Sequence, residues 1–131
     1  MTRRELREQV FKLLFCVEFH DAEELPLQIA NYEETEEAWD TEDGTYIKQK
    51  CRAAADRLEE IDALINEAAE GWKTSRMAKV DLTLLRLAVY EMKYEEDMPV
   101  GVAINEAVEL AKKYGADGSP AFINGVLAKL V

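Results

Sequence analysis

The chain has 131 residues, of which 48% are hydrophobic and 33% charged, with a formal net charge of −11. That length suits one domain or two small helical subdomains sharing a core, and no apolar run approaches the roughly 20 residues that a membrane helix needs. Cys16, Cys51 and the single His20 lack metal-ligand spacing, so no metal site is expected; with no signal peptide read at the N-terminus, two unpaired cysteines point to a reducing cytoplasm.

Thr2-x-x-Glu5 reads as a capping box, so the first helix is expected to start almost at once. At about 100° per residue, Leu6, Val10, Leu13, Leu14 and Val17 share a core-facing side. Arg3, Arg4 and Arg7 fall on the flank beside it, and Phe11 and Phe15 project there too. Two readings of that flank are open. Arginine forks bind phosphate and aromatic rings stack on unpaired bases; alternatively, the phenylalanines pack on a second helix and the arginines are solvated.

His20-Asp21 and Leu25-Pro26 then mark a turn, and an acidic stretch follows. Between Leu13 and Ile47 there is no Lys or Arg, whereas Glu18, Asp21, Glu23, Glu24, Glu33, Glu34, Glu36, Glu37, Asp40, Glu42 and Asp43 all fall there. Those acids match the whole charge surplus, 27 acidic against 16 basic residues. One irregular helix is expected in this stretch, ending in a Thr41–Gly44 turn. Its charges form a solvated face or repel RNA from the wrong side. The negative total argues against nucleic acid at first sight, but the N-terminus and the segment holding Lys73, Arg76, Lys79, Arg86 and Lys93 are locally basic. With a Debye length of about 8 Å at physiological salt, a local patch outweighs a distant total.

From Thr45 to Ala69 the pattern is helical, with a break expected near Asp56–Glu60, and Gly71 closes the segment. Trp72 precedes a helix from about Ser75 to Tyr94 that is apolar almost all round, as a central helix contacted on several sides would be. Arg86 and Tyr90 are its conspicuous polar members. Arg86 either pairs with an internal carboxylate such as Glu91 or Glu106, or contacts RNA.

Pro99 cannot sit inside a helix, so another begins just beyond it, with Val100, Ala103, Ile104, Ala107, Val108, Ala111 and Tyr114 as its apolar stripe. Gly115 is expected to end it with a positive φ. Ser119 as N-cap and Pro120 at the first helical position would open the last helix, forming a hairpin with the one before. Asn105 and Asn124 lie among apolar positions, where a buried amide needs partners. Asn124 either bridges the hinge or is exposed and contacts RNA. There is no Gly-rich phosphate loop, nucleophile elbow or useful Cys/His pair. The expected fold is all-α, a compact bundle of six to seven helices arranged as two packed helical subdomains, approximately 1–70 and 71–131. An enzyme is not expected, nor a cofactor.

Several of these segments, taken together, resemble a known family. V-A-I-N-E-A-V-E-L-A-K-K-Y-G (Val102–Gly115) and S-x-x-F-I-N-G-V-L (Ser119–Leu127) look like the C-terminal signature of the NusB transcription antitermination factors. L-L-R-L-A-V-Y-E-M (Leu84–Met92) and D-M-P-V (Asp97–Val100) fit the same pattern in the same order, and Arg3, Arg4, Arg7 and Glu8 match its N-terminal R-R-x-x-R-E arrangement. The resemblance implies an all-helical fold of two bundles and an adaptor that binds single-stranded boxA-like RNA together with NusE, a ribosomal small-subunit protein. It also implies action on elongating RNA polymerase with NusA and NusG. Carried over by position, Arg3, Arg4, Arg7, Tyr114, Gly115, Ser119 and Phe122 would bind RNA, and Phe15 and Asp81 would face NusE. Gly118 stands where the family often has an acidic residue, and Tyr114 where it usually has phenylalanine. The rival reading is a protein-binding or dimeric helical scaffold without RNA affinity, and the sequence leaves a homodimer open.

Overall fold

In the computed structural model, which describes residues 1–16 and 41–131, Thr2 and Glu5 cap each other reciprocally. The Glu5 N–H donates to Thr2 Oγ1 at 3.1 Å and the Thr2 N–H donates to Glu5 Oε1 at 3.2 Å. The Thr2 N–H, and after it the Thr2 hydroxyl, holds the exposed Glu5 carboxyl below its usual range. Helix α1 (Arg3–Cys16) starts there and buries Val10, Phe11, Leu13 and Leu14. Helix α2 (Thr41–Ala55) packs against it through Ile47, Cys51 and Ala54, and the N-terminal ammonium reaches Asp43 at 2.9 Å. Thr41–Gly44 is therefore the first turn of a helix and not a terminating turn; Glu42 and Asp43 suit that place, where the helix dipole favours acids. The expected irregular helix of the acidic stretch and the core role of Val17 lie outside the described residues.

The chain divides into two compact units, Met1–Asp56 and Arg57–Val131. The division comes earlier than residue 70 because helical pairing lapses at Asp56–Arg57, and the next helix, α3 (Leu58–Ala68), packs with the C-terminal elements. In that second unit α3 turns Ile61, Ile65 and Ala68 inward. Glu70 and Gly71 follow with φ of 26° and 82°; the second is a conformation glycine alone takes without strain. Residues Thr74–Arg76 form a single 3₁₀ turn, and Met77 is extended. Helix α4 (Lys79–Tyr94) thus begins later than Ser75.

Helix α4 is apolar nearly all round as expected: Leu82, Leu84, Leu85, Leu87, Ala88 and Val89 are each at most 2% exposed. Burying a leucine this fully is worth about 1.5–3 kcal/mol. Helices α3, α5 (Val100–Tyr114) and α6 (Ser119–Ala128) all pack on it, so it is the axis of the unit. Helix α5 approaches through small residues, Ala103, Ala107 and Ala111, together with Leu110; Val100, Ile104, Val108 and Tyr114 of the expected stripe are half-buried. Helices α5 and α6 form the expected hairpin, with Ile123, Val126 and Leu127 inside. Among the described residues there are six α-helices and no strand.

Arg86 organises this unit through an internal carboxylate that sequence reasoning did not name, Asp62 of α3. Its Nε and Nη2 donate to the two oxygens of Asp62 at 2.9 and 2.8 Å, a two-pronged ion pair mostly shielded from water. Nearby, the Tyr94 hydroxyl donates to Glu60 at 2.7 Å under the Arg57 guanidinium, which lies 4.3 Å from the ring centroid. The Glu60 bond raises the Tyr94 pKa. Asn105 and Asn124 are both exposed, so neither is a buried amide. At α-helical spacing each falls on the outer edge of its stripe.

Candidate nucleic-acid interface

Gly115 ends α5 with φ −91° and ψ −176°, ordinary extended backbone and not the expected left-handed turn. Glycine is required there by contact. A Cβ at this position would stand 2.6 Å from the Ser119 Cβ and 2.8 Å from the Ala111 carbonyl oxygen. The close approach exists because the 115–119 loop is tied to itself. Ser119 Oγ accepts from the Ala116 N–H at 3.0 Å, and the Ser119 N–H returns to the Ala116 oxygen at 3.0 Å. Ser119 is therefore the first residue of α6, with Gly118 as N-cap, and its hydroxyl secures the loop instead of capping the helix.

This loop forms one wall of a cleft of about 250 Å³. Ala116, Gly118, Ser119 and Phe122 line it on that side, and Trp72, Arg76, Met77, Ala78 and Asp81 on the other. The Trp72 and Phe122 rings meet edge to face, with centroids 6.3 Å apart and planes at 73°. Trp72 is nevertheless 58% exposed, which leaves a large apolar surface to water. Helices α4 and α6 both start at the cleft, and neither has a side-chain cap. The first turn of α4 holds Asp81 and lies beside the exposed Arg76. Oδ1 of Asp81 is buried with no hydrogen-bond donor among the described residues. Leaving such a group unpaired costs about 1–3 kcal/mol.

The cleft brings together three residues expected at different surfaces: Ser119 and Phe122 from the RNA set, and Asp81 from the partner set. Tyr114 and Gly115 adjoin it in sequence at the end of α5, and Lys113 Nζ lies 5.3 Å from the Tyr114 ring centroid. Arg3, Arg4, Arg7 and Phe15 belong to the N-terminal unit. Arg3 and Arg4 are exposed there, whereas Arg7 is only 6% exposed. Phe11 goes to the core and Phe15 is half-buried, 6.2 Å from it between centroids. Sequence reasoning missed Trp72, Arg76 and Met77 as site residues. The usable signal was an aromatic directly after a glycine, followed by an arginine, ahead of a helix with no capping side chain. No group of three His, Cys, Asp or Glu residues suited to a metal occurs among the described residues, and no described helix is long and apolar enough to cross a membrane.

Fold and cleft define an all-α protein with an open aromatic corner between helix N-termini. Residues 4–131 match the model of the NusB family. The chain is 59% identical to the transcription antitermination protein NusB of Agathobacter rectalis, over 98% of each chain, and 47% identical to that of Lachnoclostridium phytofermentans, over 100% of this chain and 99% of the other. Among solved structures, T. maritima NusB superposes with a TM-score of 0.88 at 38% identity, covering 99% of this chain and 90% of that one. A complex of the antitermination factors NusB and NusE with double-stranded RNA contains a chain matching at TM-score 0.83 and 25% identity, over 96% of this chain and 92% of that one. The chain belongs to the NusB family of transcription antitermination proteins.

Proposed function

We propose that this protein is an RNA-binding antitermination adaptor that takes single-stranded boxA-like RNA together with NusE and links it to elongating RNA polymerase, alongside NusA and NusG. The observation that carries the reading is the cleft: an exposed tryptophan, an arginine and an uncapped helix start in one place form a surface suited to an unpaired nucleotide. The likeness to a chain that binds NusE and RNA supports it. In the N-terminal unit Arg3, Arg4 and Arg7 are the residues proposed to bind RNA phosphates, and in the C-terminal unit Tyr114, Gly115, Ser119 and Phe122 are proposed to bind RNA. Phe15 and Asp81 are the residues proposed to meet NusE.

An RNA titration with and without NusE tests this. The protein should bind a boxA-like single strand at low salt, and NusE should tighten the complex. Replacing Arg3 and Arg4 with Ala should flatten the slope of log affinity against log salt by roughly 0.7 for each phosphate that is no longer neutralised. A folded protein with no RNA affinity at low salt would instead establish a helical scaffold that binds only proteins.

A further inference from the structure

Residues 70–78 join α3 to α4 and carry Trp72 and Arg76 on little more than the short 3₁₀ turn Thr74–Arg76. The backbone bonds made by their N–H groups each span three residues. Trp72 donates to the Ala69 oxygen at 3.3 Å, Arg76 to that of Lys73 at 2.9 Å and Met77 to that of Thr74 at 3.2 Å. Such bonds shape a turn but do not fix where it stands against a neighbouring helix. The first N–H groups of a helix find no partner within it, and the residue before this turn, Lys73, gives no side-chain cap. Asn66 supplies the cap from α3, eight residues back. Its Oδ1 accepts from the Thr74 N–H at 2.8 Å.

Thr74 lies midway between Trp72 and Arg76, two residues from each. Both of those side chains are exposed, so their places depend on where the backbone between them is held. Met77, 7% exposed, anchors the far end of the segment, and the edge of Phe122 meets Trp72. The link from Glu70 to Lys129, at 3.5 Å, joins two side chains that are mostly in water and adds little. Helix stability does not call for Asn66 either, because an exposed asparagine is a poorer helix former than alanine. We propose that Asn66 is a positioning residue for RNA binding: by capping Thr74 from α3 it holds the backbone that presents Trp72 and Arg76, and it touches no RNA itself. This rests on the RNA-binding reading above. Without the cap the segment spends part of its time elsewhere, and apparent affinity falls by the fraction of molecules that still hold it in place.

Asn66→Ala in the whole protein, titrated with the boxA-like strand at low salt, gives the test. The melting temperature should hold, since alanine suits α3 at least as well. RNA affinity should nonetheless fall about fivefold, the loss expected when about a fifth of the molecules keep the segment in place. In a variant already carrying Trp72→Ala and Arg76→Ala, the same change should cost about twofold or less, because nothing is left for it to position. Amide hydrogen exchange gives a second reading that needs no RNA. The Thr74 N–H should exchange faster in Asn66→Ala and stay slow in Asn66→Asp, whose carboxylate accepts the same bond. Unchanged Thr74 exchange or parental RNA affinity in Asn66→Ala overturns the proposal and leaves RNA binding intact. A full fivefold loss in the Trp72→Ala, Arg76→Ala background also overturns it, as that would make Asn66 a direct contact. Affinity that falls only together with the melting temperature overturns it in favour of a purely structural role. No RNA binding by the parental protein overturns the RNA reading and this proposal together.

Discussion

A methyl group at Gly115 would press on the Ala111 backbone oxygen, which cannot yield without moving α5, and on Ser119, which holds the loop. Gly115→Ala should cost about 1–3 kcal/mol through overpacking and lower the melting temperature. Ser119→Gly should partly restore it, because the nearest clashing atoms belong to that side chain. An unaltered melting temperature in Gly115→Ala would refute the contact argument. Arg7 is argued on similar grounds. Being buried, it should cost stability as well as RNA affinity on replacement by Ala, whereas Arg3→Ala should change affinity alone; thermal melting beside RNA titration separates the two. The cysteines make a third case. Burial, with a smaller push from Cys16, drives the Cys51 thiol pKa up to about 12, and burial raises Cys16 as well. At pH 8 both are mainly neutral thiols, since the reactive thiolate forms only as pH approaches the raised pKa. A disulfide reagent should therefore modify half-exposed Cys16 slowly, and Cys51 only after denaturation. Equal, rapid modification of both would contradict this.

Elements whose signals are local could be read from the chain. The Thr2–Glu5 box, Pro99 before α5 and the all-round apolar pattern of α4 each involve residues within a turn or two, and each appears as expected. What could not be read depends on another segment. Arg86 meets Asp62, 24 residues away on another helix. Ser119 reads as a cap because a serine before proline usually is one, but the Ala116 N–H competes successfully for its hydroxyl. The cleft needs residues 72–81 and 116–122 together, and no periodicity relates the two stretches. The α3–α4 tie allows a direct test. Asp62→Asn should destabilise by about 2–3 kcal/mol, somewhat below a fully buried pair, because it removes the charge of one member of a mostly shielded ion pair. Replacing both residues together, Asp62→Leu with Arg86→Met, should recover part of that stability, since both charges of the pair are then removed together. A double variant as unstable as the sum of the singles would show the pair to be no unit.

At the scale of the whole molecule, charge is distributed unevenly along the chain. The surplus of 11 acidic residues equals the number lying between Leu13 and Ile47, while the N-terminus with Arg3 and Arg4 and the segment with Lys73, Arg76 and Lys79 are locally basic. NusE, a ribosomal protein, is expected to be basic, and a basic partner approaching this chain feels the acidic segment at long range. Such complementarity speeds encounter more than it deepens the final complex, because exposed charges are screened once salt shortens the Debye length below their separation. Neutralising Glu33, Glu34, Glu36 and Glu37 to Gln should therefore slow NusE association at low salt by several-fold, with the difference fading as salt rises toward about 0.5 M. Dissociation should change little if NusE sits directly on Phe15 and its neighbours. Stopped-flow mixing across a salt series measures both rates. Parental association rates at every salt concentration would reduce the acidic segment to a solvated surface with no part in steering, and a faster dissociation at all salts would instead place those glutamates within the interface itself.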